Sequence, residues 1–84
     1  MKKYSYYKFE YKGKTFISQY MGREEHFECM VCGKGNNAYC FNVFDTLEEY
    51  DNCSYETFSF GKEHLPKLEE ISIEDIKKEW KNNE

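Results

Sequence analysis

The stretch Cys29-Met30-Val31-Cys32-Gly33-Lys34-Gly35 constrains this chain more than any other. Two thiols three positions apart meet only across a tight turn, and glycines supply the backbone freedom such a turn needs. The chain around it has 84 residues. That length predicts one domain, residues 1–84, and a chain this short buries only about 60–65% of the surface it exposes when unfolded. Scaffolds of this size commonly add a staple, such as a metal, disulfides or a partner chain. Aromatic side chains are the main core material: eight Tyr, seven Phe and one Trp. Not all the tyrosines fit inside, so several place a hydroxyl at the surface, as recognition faces do.

Before the turn, Tyr4 to Tyr11 alternates, with Tyr7, Phe9 and Tyr11 on one side and Lys8 and Glu10 on the other. Lys12-Gly13-Lys14 reads as a tight turn with Gly13 at φ > 0, and Thr15 to Met21 continues with β-branched and aromatic residues, which predicts a hairpin. The second strand shows no clean alternation. A third strand is expected over residues 26–31, with Phe27, Cys29 and Val31 on one side, running directly into the cysteine turn. A fourth is expected over Ala38–Phe44 and a fifth over Ser54–Phe60. Leu65 precedes Pro66 and so should be extended, while residues 67–71 fit either strand or helix.

Two helical segments carry end signals. Thr46 followed by Glu49 fits a capping box and predicts a short helical turn. Ser72 reads as the N-cap of a longer C-terminal helix, with Glu74 and Asp75 in its first turn and Lys77, Lys78 and Lys81 toward its end, both suited to the helix dipole. Ile73, Ile76 and Trp80 form one apolar stripe on that helix, expected to pack on the sheet or, alternatively, to dock a partner. The fold expected is α+β: a small twisted antiparallel sheet of four or five strands with one C-terminal helix packed on it.

The four cysteines carry the chemistry to be weighed. Cys29-x-x-Cys32-Gly33 resembles, over about seven residues, the zinc knuckle of zinc-ribbon and treble-clef domains. The resemblance implies a structural zinc and a zinc-knuckle-like turn. Those families complete the site with a second C-x-x-C or C-x-x-H, which this chain lacks. The simplest ligand set is Cys29, Cys32, Cys40 and Cys53, with His64 in place of Cys40 as the runner-up and His26 as a further histidine. The alternatives are four free thiols or a disulfide. A closed four-ligand zinc site contributes folding energy and no catalysis. A Cys32–His64 or Cys53–His64 thiol site is the only catalytic arrangement to consider. No phosphate-binding loop, serine nucleophile elbow or H-E-x-x-H motif is present, so the expectation is a non-enzyme.

No apolar run follows Met1-Lys2-Lys3 and no stretch approaches the ~20 apolar residues of a membrane span, so a cytoplasmic location and no membrane partner are expected. The net charge is −4, divided between about +3 over residues 1–34 and about −7 over residues 35–84. An acidic balance disfavours general binding to phosphate backbones. It favours a protein-binding module, an adaptor or inhibitor of a host or partner protein, that engages its partner through Glu48, Glu49, Asp51, Glu56, Tyr50 and Tyr55. Compact, acidic, aromatic-rich chains resemble small phage and mobile-element proteins that block host machinery. The alternative is a zinc-ribbon-like nucleic-acid binder. Its hairpin would interleave Lys2, Lys3, Lys8, Lys12 and Lys14 with Tyr4, Tyr6, Tyr7, Phe9 and Tyr11, the pattern that stacks bases and holds phosphates. A homodimer burying the aromatic face is the third reading.

Overall fold

The hairpin that opens the chain sets the register of the whole sheet. In the computed structural model, which describes residues 1–82 apart from Lys34 and Asn36, and 79–82 by backbone alone, β1 (Tyr6–Tyr11) pairs with β2 (Lys14–Glu24) so that Tyr11 faces Lys14. The two-residue loop between them has Lys12 at φ 51° and Gly13 at φ 78°. Positive φ at both positions is the type I′ geometry, whose twist matches that of the flanking strands. The expected turn is therefore present, with Lys12 as well as Gly13 in the left-handed region.

Three further strands complete one antiparallel sheet: β3 (Ala38–Phe44), β4 (Glu56–Phe60) and β5 (Glu69–Ile71), in the order β4-β3-β2-β1-β5. Two short helices, α1 (Leu47–Asp51) and α2 (Ile73–Asn82), make the chain α+β. Residues 67–71, ambiguous from sequence, resolve as an edge strand because Glu69–Ile71 pair with Tyr6–Lys8.

The strand expected over residues 26–31 does not form. Gly22, at φ 99°, sits at a bulge where the β2–β3 register shifts between Tyr20 and Gly22, and beyond it β2 continues to Glu24, paired with Ala38. The segment after Glu24 is thus the connection between two already paired strands. It runs instead along the free edge of β4, where the Met30 N–H donates to the Ser59 carbonyl (2.9 Å) and the Ser59 hydroxyl donates to the Glu28 carbonyl (2.8 Å). Of the three residues expected on one side, Cys29 is buried while Phe27 and Val31 are 43% and 45% exposed. The bulge also accounts for the irregular pattern of β2, as does its place at the centre of the sheet, with Ile17 and Ser18 buried on opposite faces.

One face of the sheet carries the aromatic core. Tyr7, Phe9, Tyr20, Phe41, Val43, Phe58 and Phe60 are buried together, with Tyr11, Phe16 and Tyr39 packed at the margin. Rings meet at edge or tilted angles, as between Phe9 and Phe60 (5.7 Å, 86°) and between Phe16 and Phe58 (5.0 Å, 65°), the arrangements that the ring quadrupole favours. The lid over this face is not a helix. β4 and β5 lie at opposite edges, so residues 61–68 cross the whole sheet, four strand spacings or about 19 Å. Eight extended residues reach about 26 Å, so the crossing leaves room for little except a short 3-10 turn at Lys62–His64. Leu65 and Leu68 from this strap pack against the aromatic cluster, and Leu65 is extended ahead of Pro66 as expected (φ −64°, ψ 122°).

The helix ends obey their sequence signals. The Thr46 hydroxyl accepts from the Glu49 N–H (3.1 Å), and the Glu49 carboxylate accepts in return from the Asp45 N–H (3.2 Å), one residue earlier than in the usual capping box. The Ser72 hydroxyl accepts from the Asp75 N–H (3.2 Å). On α2, Ile76 is fully buried, but Ile73 is 41% exposed, so the expected stripe is narrower than its spacing implies. The side chains of Trp80 and Lys81 lie outside the described residues. Among the described residues, no helix is long and apolar enough to cross a membrane.

Candidate functional site

Two concave places bring together residues singled out by the sequence. The first is the cysteine turn. The Gly33 N–H donates to the Cys29 carbonyl (2.7 Å), and Gly33 takes φ 68°, which closes the chain around Cys29. Cys29 is 2% exposed and Cys32 is exposed. Burial pushes the Cys29 thiol up, but the nearby backbone N–H groups of Gly61, Cys32 and Val31 and the Cys32 side chain favour the charged sulfur and together hold it below the usual thiol range. Gly61 follows β4 directly, and a Cβ there would lie 3.3 Å from the Cys29 Cβ, a tight contact that Cys29 would have to relieve by shifting a few tenths of an ångström. A pocket of about 350 Å³ opens beside the two cysteines, lined also by Lys62, Glu63 and His64 of the strap.

The four-cysteine cluster, Cys29, Cys32, Cys40 and Cys53, is not assembled. β3 holds Cys40 buried, where its thiol donates to the Ala38 carbonyl (3.7 Å) and is pushed up by burial and by the nearby Glu24 carboxylate. Cys53 is exposed at the end of α1 and lines a different pocket. Among the described residues, no three His, Cys, Asp or Glu side chains are grouped so as to hold a metal ion. The expected zinc-knuckle-like turn is thus not shown: the C-x-x-C turn holds its two cysteines, and no third ligand is grouped with them among the described residues. His64, the runner-up ligand, shares the pocket of Cys29 and Cys32, which also brings it near Cys32 rather than Cys53. His26 is exposed in the β2–β3 connection.

The second place is a cup of about 280 Å³ on the sheet face opposite the aromatic core. Tyr50 of α1 packs edge-on against Phe44 (5.4 Å) and Tyr6 (5.9 Å), and Tyr55 packs against Phe44 (5.9 Å). Asp51 and Cys53 stand with these rings in the lining, with Gln19 and Asn42 from the row that pairs Tyr6 with Gln19 and Gln19 with Asn42. Burial, the hydrogen bond with Tyr50 and the neighbouring Tyr50 and Cys53 push the Tyr6 phenol up to about 12, so it stays neutral. Of the six residues expected to meet a partner, the cup gathers Tyr50, Asp51 and Tyr55. Glu48 and Glu56 are exposed outside its lining, and Glu49 is engaged in the cap of α1. Of the cup floor, Phe44 reads from sequence only as a strand residue, and Tyr6 only as one of the hairpin aromatics of the nucleic-acid alternative. The alternation that places Tyr6 opposite Tyr7 on β1 was the available signal for Tyr6.

A wider depression of about 480 Å³ between β1 and residues 67–69 is lined by Lys8, Glu10, Lys67 and Glu69 beside Phe9, Thr15 and Leu68, and its lining has no thiol or imidazole. Comparison with known protein families, curated proteins and solved structures finds nothing that matches this chain.

Proposed function

We propose that this protein is a small binding module, an adaptor or inhibitor, that captures a basic segment of a partner protein in the cup beside α1. The observation that carries this reading is the convergence of Tyr6, Phe44, Tyr50 and Tyr55 with Asp51 in one open concavity. Aromatic faces attract a desolvating cation by roughly 0.5–2 kcal/mol each, and a carboxylate at the rim supplies the counter-charge for a guanidinium or ammonium group. Glu48 and Glu56 nearby, and the net charge of −4, steer a basic partner toward this surface. Tyr55 is 50% exposed, so an arriving side chain gains apolar contact there as well.

The nucleic-acid alternative draws on the N-terminal hairpin, whose rings are largely committed elsewhere. Tyr7 and Phe9 are buried in the core and Tyr6 packs on Tyr50, which leaves Tyr4, 57% exposed, as the open stacking face. The deciding experiment is a titration of the isotope-labelled protein with an arginine-rich peptide, a neutral peptide of equal length and a single-stranded oligonucleotide at low and moderate salt. Saturable shifts from the arginine-rich peptide at Tyr6, Tyr50, Asp51 and Tyr55, weakened about tenfold by Asp51→Asn or Tyr55→Ala, are expected. Shifts from the oligonucleotide alone would transfer the function to the hairpin. Equal response to both peptides, or none, removes the cup from consideration.

A further inference from the structure

The cup leaves the cysteine turn without a role, and its geometry suits a different chemistry from the structural zinc that the C-x-x-C spacing suggests. Tetrahedral zinc takes four ligands, whereas among the described residues no group of three or more candidate ligands includes these two thiols. One is sunk and one is open: Cys29 is 2% exposed, while Cys32 faces the pocket of about 350 Å³ from an exposed position. They sit at the two ends of a tight turn over Met30–Cys32, and such turns bring their ends within about 7 Å, the span a disulfide bridges. Cys40 and Cys53 are separated from this pair, so oxidation has one intramolecular partner to choose.

We propose that Cys29 and Cys32 form a thiol–disulfide exchange site that accepts small anionic disulfides of the glutathione type in the pocket beside the strap. Cys32, the exposed member, attacks one sulfur of the incoming disulfide. Its S–S bond breaks, a mixed disulfide forms on Cys32, and the first thiol leaves with a proton. The Cys29 thiolate then attacks the Cys32 sulfur, the mixed disulfide breaks and the second thiol leaves. The balance is two cysteine thiols oxidised to one cystine and one external disulfide reduced to two thiols, with both protons carried away by the products. The backbone N–H groups of Gly61, Val31 and Cys32 near the Cys29 sulfur favour its thiolate, which is the form the second step consumes. Lys62 and His64 in the pocket lining offer donors to the carboxylates of such a disulfide, with Glu63 between them as the one acidic group of the lining. Met30 and Val31, the residues between the cysteines, are 43% and 45% exposed, so the turn stands open to solvent.

This inference is independent of the cup. Its test uses the full chain, freed of reductant, in buffers that step from reduced to oxidised glutathione, with remaining thiols alkylated and located by peptide mass spectrometry. The expected result is a Cys29–Cys32 disulfide, with Cys40 and Cys53 still alkylated. Cys29→Ser should trap glutathione on Cys32 at ~10-fold the level of the parent protein, because the resolving thiol is gone, and Cys32→Ser should yield neither species. Circular dichroism of both serine variants checks that the fold is retained. No disulfide in fully oxidised buffer, or oxidation distributed over Cys53 as readily, overturns the proposal. So does one zinc per chain that protects both thiols until it is chelated, which would make the pair part of a metal site completed by rearrangement.

Discussion

Cys53 occupies a position that glycine should fill better, and replacing it separates a folding role from a ligand role. The residue follows α1 with φ 55°. The Cys53 N–H donates to the Tyr50 carbonyl (3.2 Å) and the Ser54 N–H donates to the Glu49 carbonyl (2.8 Å), which is the paired bonding of a Schellman motif with Cys53 at its left-handed position. An L-residue there sacrifices roughly 1–2 kcal/mol to the contact between Cβ and the following carbonyl. Glycine escapes that clash but loses about 0.5–1 kcal/mol more backbone entropy on folding. The exposed thiol contributes little burial to set against the exchange. Cys53→Gly should therefore stabilise the protein by about 0.5–1 kcal/mol, which for a domain of this size raises Tm by about 2–8 °C. Cys53→Ala keeps the Cβ and should change Tm very little. Thermal unfolding followed by circular dichroism under reducing conditions measures both. A ligand role for Cys53 predicts the opposite sign for glycine and an equal loss for alanine. A fall in Tm with Cys53→Gly, or an equal gain from Cys53→Ala, would refute the backbone argument.

Phe60 has no exposed surface and meets the rings of Tyr11 (5.4 Å), Phe9 (5.7 Å) and Phe41 (6.1 Å). Phe60→Ala should cost about 3–5 kcal/mol in urea unfolding, a large part of the roughly 4–13 kcal/mol available to a chain this long, and a loss under ~1 kcal/mol would show that the cluster collapses around the gap. The Tyr6 phenol, at about 12 when folded against 10.0 for a free phenol, gives an alkaline signature. Below the unfolded value both states hold the proton and the group is neutral to stability; above it the unfolded chain gives up its proton first, so stability should fall as pH rises from about 10 to about 12. Burial raises the Tyr20 phenol in the same direction. Urea midpoints measured across that window should decline less steeply in Tyr6→Phe, and equal slopes would count against the half-buried Tyr6–Tyr50 contact.

Local signals were legible wherever their physics is local. The turn at Lys12-Gly13, the Thr46 and Ser72 caps and the extended Leu65 before Pro66 depend on contacts within a few residues, and each appears where the spacing puts it. The failures share a cause. The apolar alternation of Phe27, Cys29 and Val31 looks like a strand, but a strand needs a ladder partner, and Gly22 lets β2 take Ala38 first. The four cysteines read as a ligand set by count alone, while their placement follows tertiary context: Cys40 is buried on β3 and Cys53 is exposed after α1. Of the candidate site, Tyr50, Asp51 and Tyr55 could be named from the acidic, aromatic run, while Tyr6 and Phe44 could not, because they reach the cup through strand order.

The sequence by itself determined the class of fold, because alternation, turn glycines and caps are properties of short windows. It determined that the core would be aromatic and that the chain holds a single C-x-x-C turn followed by glycines. Only the tertiary structure decided which side chains share a surface. The sheet order β4-β3-β2-β1-β5 sends the strap of residues 61–68 across the aromatic face, and that crossing brings Gly61 against Cys29 and His64 into its pocket. The physical reason is one of range: a cap or a turn is stabilised by atoms a few bonds away, whereas strand order is chosen by the burial of the whole aromatic face at once.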